Sequence, residues 1–183
     1  GVRLVGSEMC IRDRDIYSPN YLDRGYGAGV PMGGDLTEAP KNTAPSFMIA
    51  AVKDPDGANL DRAQVVKGWL DKNGELHEKV YDVAWSGHRK IDPDTGKLPA
   101  VGNTVDVENA TYRNTIGTAS LATVWQDPDF DRKERAFYYV RVLEIPVPRW
   151  TTYDAAYFDV EIPEEAPASI QDRAYTSPIW YTP

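Results

Sequence analysis

Residues 135–150 read RAFYYVRVLEIPVPRW, and this stretch decides the fold. Phe137, Tyr139, Arg141 and Leu143 fall on one face of an extended chain; Ala136, Tyr138, Val140, Val142 and Glu144 fall on the other. A strand apolar on both faces belongs in the middle of a sheet. Pro146 and Pro148 cannot donate ladder hydrogen bonds, so pairing is expected to stop there.

Upstream, residues 119–125 read as another strand, closed by Asp127-Pro128-Asp129, with one helical turn expected at 132–135. Residues 46–53, SFMIAAVK, have the pattern of a central strand and end in the turn Asp54-Pro55-Asp56-Gly57. Residues 64–70 and 75–85 flank Asp71-Lys72-Asn73-Gly74. Asn-Gly between two strand-like runs is a strong hairpin signal. On the second arm Tyr81, Val83 and Trp85 share one face, with Glu78 and Asp82 on the other. Residues 86–103 read as a long loop, and Val105 and Val107 as a short edge strand. Residues 15–24 are polar and loop-like, and five glycines between Gly25 and Gly34 imply sharp turning or close backbone approach.

Downstream, a strand is expected over 157–162, a loop at 163–167 and a helical turn at 169–173. A closing strand over 175–181, interrupted by Pro178, is placed at an edge or bulge. About seven strands separated by turn signals predict a mainly β, antiparallel sandwich-like fold with long loops and little helix.

A chain of 183 residues fits one domain. A formal charge of -8 argues against binding a phosphate backbone, so no nucleic-acid partner is expected. No apolar run approaches the roughly 20 residues that span a bilayer as a helix, so no membrane insertion is expected. Residues 1–14, GVRLVGSEMCIRDR, resemble translated sequencing-adapter read-through of the kind met in metagenomic gene predictions. They are set apart as an artefactual or disordered segment, leaving 15–183 as a single β-rich domain. The rival reading is a first strand, carried by Val2, Leu4 and the Met9–Ile11 run. The single cysteine, Cys10, lies in that segment, so residues 15–183 hold neither disulfide nor cysteine-ligated metal. The compartment is left open.

Site chemistry is sparse. His77 and His88 have no metal-ligand spacing, and a metal site would have to be built mostly from carboxylates. Three Asp-Pro-Asp clusters, beginning at Asp54, Asp92 and Asp127, read as turn-initiating chemistry rather than calcium loops. There is no Gly-x-Ser-x-Gly elbow, and the glycine stretch lacks the context of a dinucleotide or phosphate loop. The polar candidates for a cleft or an interdomain surface are His88, Arg141, Glu144, Arg149 and Trp150. For Arg141 and Arg149 one reading is a bidentate grip on an anion. The other is an internal ion pair for Arg141 and stacking of Arg149 on Trp150. No catalytic, cofactor or metal residue is assigned.

Four segments together, GYGAGVPMGGDL, VVKGWLDKNGELHEKVYDVA, TVWQDPDFDRKERAFYYVRVLEIPVPRW and RAYTSPIWYTP, resemble the family of domain of unknown function 3604. The resemblance covers about Tyr21 to Pro183. It implies a longer bacterial protein whose N-terminal part is similar to metal-dependent hydrolases of the polymerase-and-histidinol-phosphatase (PHP) type, with relatives among carbaryl-esterase-like enzymes. On that basis this chain is expected to be a non-catalytic, β-rich C-terminal region. Its partner would be the N-terminal catalytic domain of the same protein, and the divalent metal would belong to that domain. The alternative is an independent carbohydrate-type binding module using exposed aromatics. A row of exposed rings on one sheet face would favour the module, and a flat apolar patch would favour the domain contact.

Overall fold

The computed structural model describes residues 29–37 and 43–183, with the backbone of Val5–Glu8. The strands within this range are β1 (Val5–Glu8), β2 (Asp35–Leu36), β3 (Ser46–Val52), β4 (Leu60–Leu70), β5 (Leu76–Trp85), β6 (Ser120–Gln126) and β7 (Arg135–Glu144). After β8 (Val147–Pro148) comes the helix α1 (Trp150–Phe158), then β9 (Ser169–Ile170), β10 (Arg173–Tyr175) and β11 (Ile179–Tyr181). The chain is therefore mainly β.

Strand β7 is central, as its two apolar faces require. It pairs with β4 along one edge and with β10 and β11, in line, along the other. The six-stranded sheet runs β2-β11-β7-β4-β5, and β10 joins it on β7. A three-stranded sheet, β1-β3-β6, packs across its inner face. Phe47, Ile49 and Ala51 from β3 and Leu121 from β6 meet Ala63 and Val65 from β4 and Tyr138, Val140 and Val142 from β7. The Phe47 ring lies 4.6 Å from that of Tyr138 and 5.6 Å from that of Trp125, closing the sandwich with aromatic contact between the sheets.

A buried polar clamp ties the sheets together. Lys67 Nζ donates to Asp127 Oδ2 at 2.6 Å and to the Asp129 carbonyl at 2.7 Å. The Tyr138 hydroxyl donates to the same carboxylate at 2.8 Å, and the Asp129 N–H to its other oxygen at 2.9 Å. Asp129 in turn accepts from Lys79 and from the Tyr81 hydroxyl on β5. Those two donors hold its carboxyl below the usual range.

The hairpin β4–β5 forms where Asn-Gly places it. Asp71 Oδ1 accepts the N–H groups of Asn73 and Glu75 at 2.8 and 2.9 Å, and Gly74 takes φ +82°, a conformation closed to most side chains. Asn73 has no positive φ, so the turn is of the longer kind with a glycine bulge rather than a two-residue primed turn. Gly33, at φ +88°, donates to the Pro178 carbonyl at 3.0 Å, the close approach expected of the glycine stretch.

Several elements differ from expectation. Residues 150–158 form a helix, not the approach to a strand over 157–162. Arg149 is extended ahead of it, and Asp159 takes the left-handed conformation at its end, which lets the Val160 N–H reach the Ala155 carbonyl at 3.1 Å. Residues 169–173 supply β9 and the start of β10 instead of a helical turn, because β8 and β7 offer them free edges. Val105 and Val107 form no strand. Asp106 caps a turn by accepting from the backbone and side chain of Asn109, and only one bridge, Asp106 with Thr111, joins its arms. Residues 132–135 make a turn closed by the Glu134 N–H on the Asp131 carbonyl, not a helical turn.

The closing strand breaks at Pro178, as expected, into β10 and β11. Within it, β11 is covered by the parallel strand β2 and so is not at an edge. The backbone of Val5–Glu8, within residues 1–14, pairs antiparallel with β3. The rest of residues 1–14, the loop at 15–24 and the start of the glycine stretch lie outside the described residues. Among the described residues no helix is long and apolar enough to cross a membrane.

Candidate functional site

The outer face of the six-stranded sheet carries an aromatic row. Strand register places Trp180, Phe137, Gly68 and Glu78 at one level, Tyr139, Val66 and Val80 at the next, and Tyr175, Arg141, Gln64 and Asp82 at the third. The ring of Phe137 lies 5.3 Å from that of Trp180 and 6.4 Å from that of Tyr139, which is 6.2 Å from Tyr175. The middle pair are within 8° of parallel, while the outer rings tilt by 51° and 46°. Val66, although on this face, is buried beneath its neighbours.

At one end of the row is a cavity of about 600 Å³, lined by Gly68, Leu70, Leu76, Phe137 and Trp180, with Glu78 and Arg135 among its polar residues. Gly68 makes it possible. A Cβ there would meet the Phe137 ring at 2.4 Å, so the ring can lie over the β4 backbone only because the side chain is missing.

Arg141 sits at the other end of the row and grips no carboxylate directly. Its Nε donates to Gln64 Oε1 at 2.9 Å, and Gln64 Nε2 donates to Asp82 Oδ1 at 2.8 Å. Asp82 also pairs with Arg62, whose Nε donates to Asp61 Oδ2 at 3.0 Å. Asp61 is wholly buried. Gln171 donates to the same oxygen, and Arg89 Nη2 stands 2.6 Å from the other in an ion pair poorly aligned for a hydrogen bond. The arginines are thus held in one polar network at this end of the sheet, which Arg141 enters through the neutral Gln64 and not through an ion pair of its own.

The remaining predicted residues do not converge with it. Glu144 ends β7 on the opposite face from Arg141. Burial and the nearby Asp172 carboxylate push its carboxyl above the usual range. His88 is exposed in the turn after β5. Arg149 and Trp150 do meet, with the guanidinium carbon 5.9 Å from the indole centroid.

They belong to a second surface, on α1. Trp150 is 64% exposed, Tyr157 83% and Phe158 65%, and Tyr153 and Val160 are also exposed. Only Thr152 of the helix is buried, its hydroxyl donating to the Ala168 carbonyl at 2.7 Å.

Among the described residues, Asp71, Glu75 and His77 bring one ligand atom each within 4.8 Å of one another. Asp71 already holds the hairpin turn, and His77 Nε2 lies 3.1 Å from its second oxygen. The Glu75 N–H and His77 draw its carboxyl down to about 2. This donor set, with Glu75 and His77 exposed and Asp71 committed to the turn, does not fit a catalytic divalent metal. The Asp-Pro-Asp clusters are likewise turns: Asp54 and Asp92 each accept the N–H two residues on, at 2.9 and 2.8 Å.

A family model described as protein of unknown function (DUF3604) matches residues 1–183. The chain belongs to the DUF3604 family. No curated protein and no solved structure gives a significant match. Two features of this DUF3604 chain leave no local signal in its sequence. Gly68 and Trp180 become neighbours of Phe137 only through the pairing of β4, β7 and β11. The aromatic surface of α1 was hidden by the β-prone composition of WTTYDAAYF.

Proposed function

We propose that this chain is a non-catalytic, β-rich part of a larger metal-dependent hydrolase of the PHP-like class, and that it packs against the catalytic part through α1. The observation that carries the docking role is the exposed aromatic surface of that helix. A helix whose aromatics face water on several sides is of the kind that is normally buried, and Trp150, Tyr153, Tyr157 and Phe158 are all exposed, with the last two rings in contact. The non-catalytic role is supported by the committed state of the polar groups. Asp61, Asp127 and Asp71 hold structure, and the three-member donor group found among the described residues does not fit a catalytic metal. The class of the parent enzyme rests on the resemblance described above, and hydrolysis by a metal-activated water would be the work of the catalytic part.

Two measurements test this. The chain, incubated with zinc, manganese or magnesium, is expected to turn over neither carboxyl nor phosphate esters above a protein-free blank; turnover that follows the protein through purification overturns the non-catalytic role. The upstream coding region, expressed separately, is expected to bind the chain, and Tyr157→Ser with Phe158→Ser to abolish that binding. Binding unaffected by the double change overturns the assignment to α1.

A further inference from the structure

Beyond that docking role, we propose that the cavity over Gly68 binds a neutral carbohydrate, with Trp180 as its stacking platform. Its volume of about 600 Å³ is in the range of small-ligand sites and unlike a flat protein contact. The floor is the Phe137 ring laid over the β4 backbone at Gly68, and Trp180, 48% exposed, stands at the side. These are apolar surfaces of the size of a sugar ring's C–H face.

The rim decides the ligand class. Glu78 is level with Gly68, and Arg135 is paired with Leu70 two residues further on. Strand spacing puts their Cα atoms about 12 Å apart across the cavity. Among the described residues neither the Glu78 nor the Arg135 side chain makes a hydrogen bond or ion pair. The site thus offers an acceptor-only carboxylate and a donor-only guanidinium facing one hollow. An anionic ligand would be opposed by the first and a cation by the second. Sugar hydroxyls donate and accept, so one uncharged molecule can satisfy both while its apolar face covers the indole.

The test uses the 183-residue chain in native gels cast with soluble β-glucan, xylan or mannan, followed by tryptophan-fluorescence titration with oligosaccharides of the retarding polymer. Retardation by at least one polymer is expected. Trp180→Ala should weaken binding by more than roughly tenfold, as loss of a central aromatic anchor does. Glu78→Gln and Arg135→Gln, both at exposed positions, should each weaken it measurably with circular dichroism unchanged, and they carry the test where Trp180→Ala disturbs folding. Failure of all three polymers to retard the chain, or affinity unmoved by the rim changes, overturns the proposal. So does saturation of the site by free tryptophan in place of sugar, which would make the ligand a zwitterion. None of these results bears on the α1 contact, which has its own partner and variants.

Discussion

Lys67→Met removes the cation of the buried clamp while keeping most of the side chain's volume. Lys67 is 3% exposed, and its ammonium meets the Asp127 carboxylate at 2.6 Å in a site that also receives the Tyr138 hydroxyl. Without the lysine, Asp127 keeps the Tyr138 O–H and the Asp129 N–H but has no counter-charge, and the Asp129 carbonyl loses its lysine donor. Leaving one member of a buried pair uncompensated costs about 3–5 kcal/mol. At about 2–4 °C per kcal/mol for a chain of this size, the midpoint of thermal unfolding should fall by roughly 6–20 °C.

Asp127→Asn should cost a comparable amount, because it strands the ammonium instead. The double variant should be far less than additive, since removing the second charge relieves the penalty left by the first. Urea unfolding followed by tryptophan fluorescence reads all three free energies. A loss below about 1 kcal/mol for Lys67→Met, or a double variant equal to the sum of the singles, would refute the claim that this pair acts as a buried unit.

Thr152→Val deletes the hydroxyl that anchors α1 to the Ala168 carbonyl and should cost about 1–3 kcal/mol, with amide exchange rising first in residues 150–158. Glu144 binds its proton more tightly in the folded chain, through burial and Asp172, than in the unfolded one. Its contribution to stability is therefore full at low pH and declines as pH rises from about 4.5 through the raised folded value. Glu144→Gln should flatten that part of the stability profile and raise the unfolding midpoint at neutral pH, as a series of thermal melts from acid to neutral pH would show.

Much of the sheet was legible because strand period and turn chemistry are local. The two-faced apolar run at 135–144 marks a central strand whatever its neighbours are, and Asp71 to Gly74 closes a hairpin through its own side chain and a glycine. The failures share a cause. Residues 150–158 have β-prone composition but lie where no strand edge receives them, and residues 169–173 look helix-compatible but meet free edges on β8 and β7. For short segments, tertiary pairing outweighs intrinsic preference.

The sequence by itself determined a mainly β chain, its central strand, its main hairpin and the turn role of its Asp-Pro-Asp clusters. It also determined that Phe137, Tyr139 and Arg141 share a face. Only the tertiary structure decided what that face lies beside. Pairing brings Gly68 under Phe137 and Trp180 beside it, turns Lys67 inward to a carboxylate 60 residues away, and leaves the aromatics of α1 in water. The physical reason is range: alternation and turns are fixed within a few residues, whereas a cavity or a buried ion pair exists only once distant strands are in register.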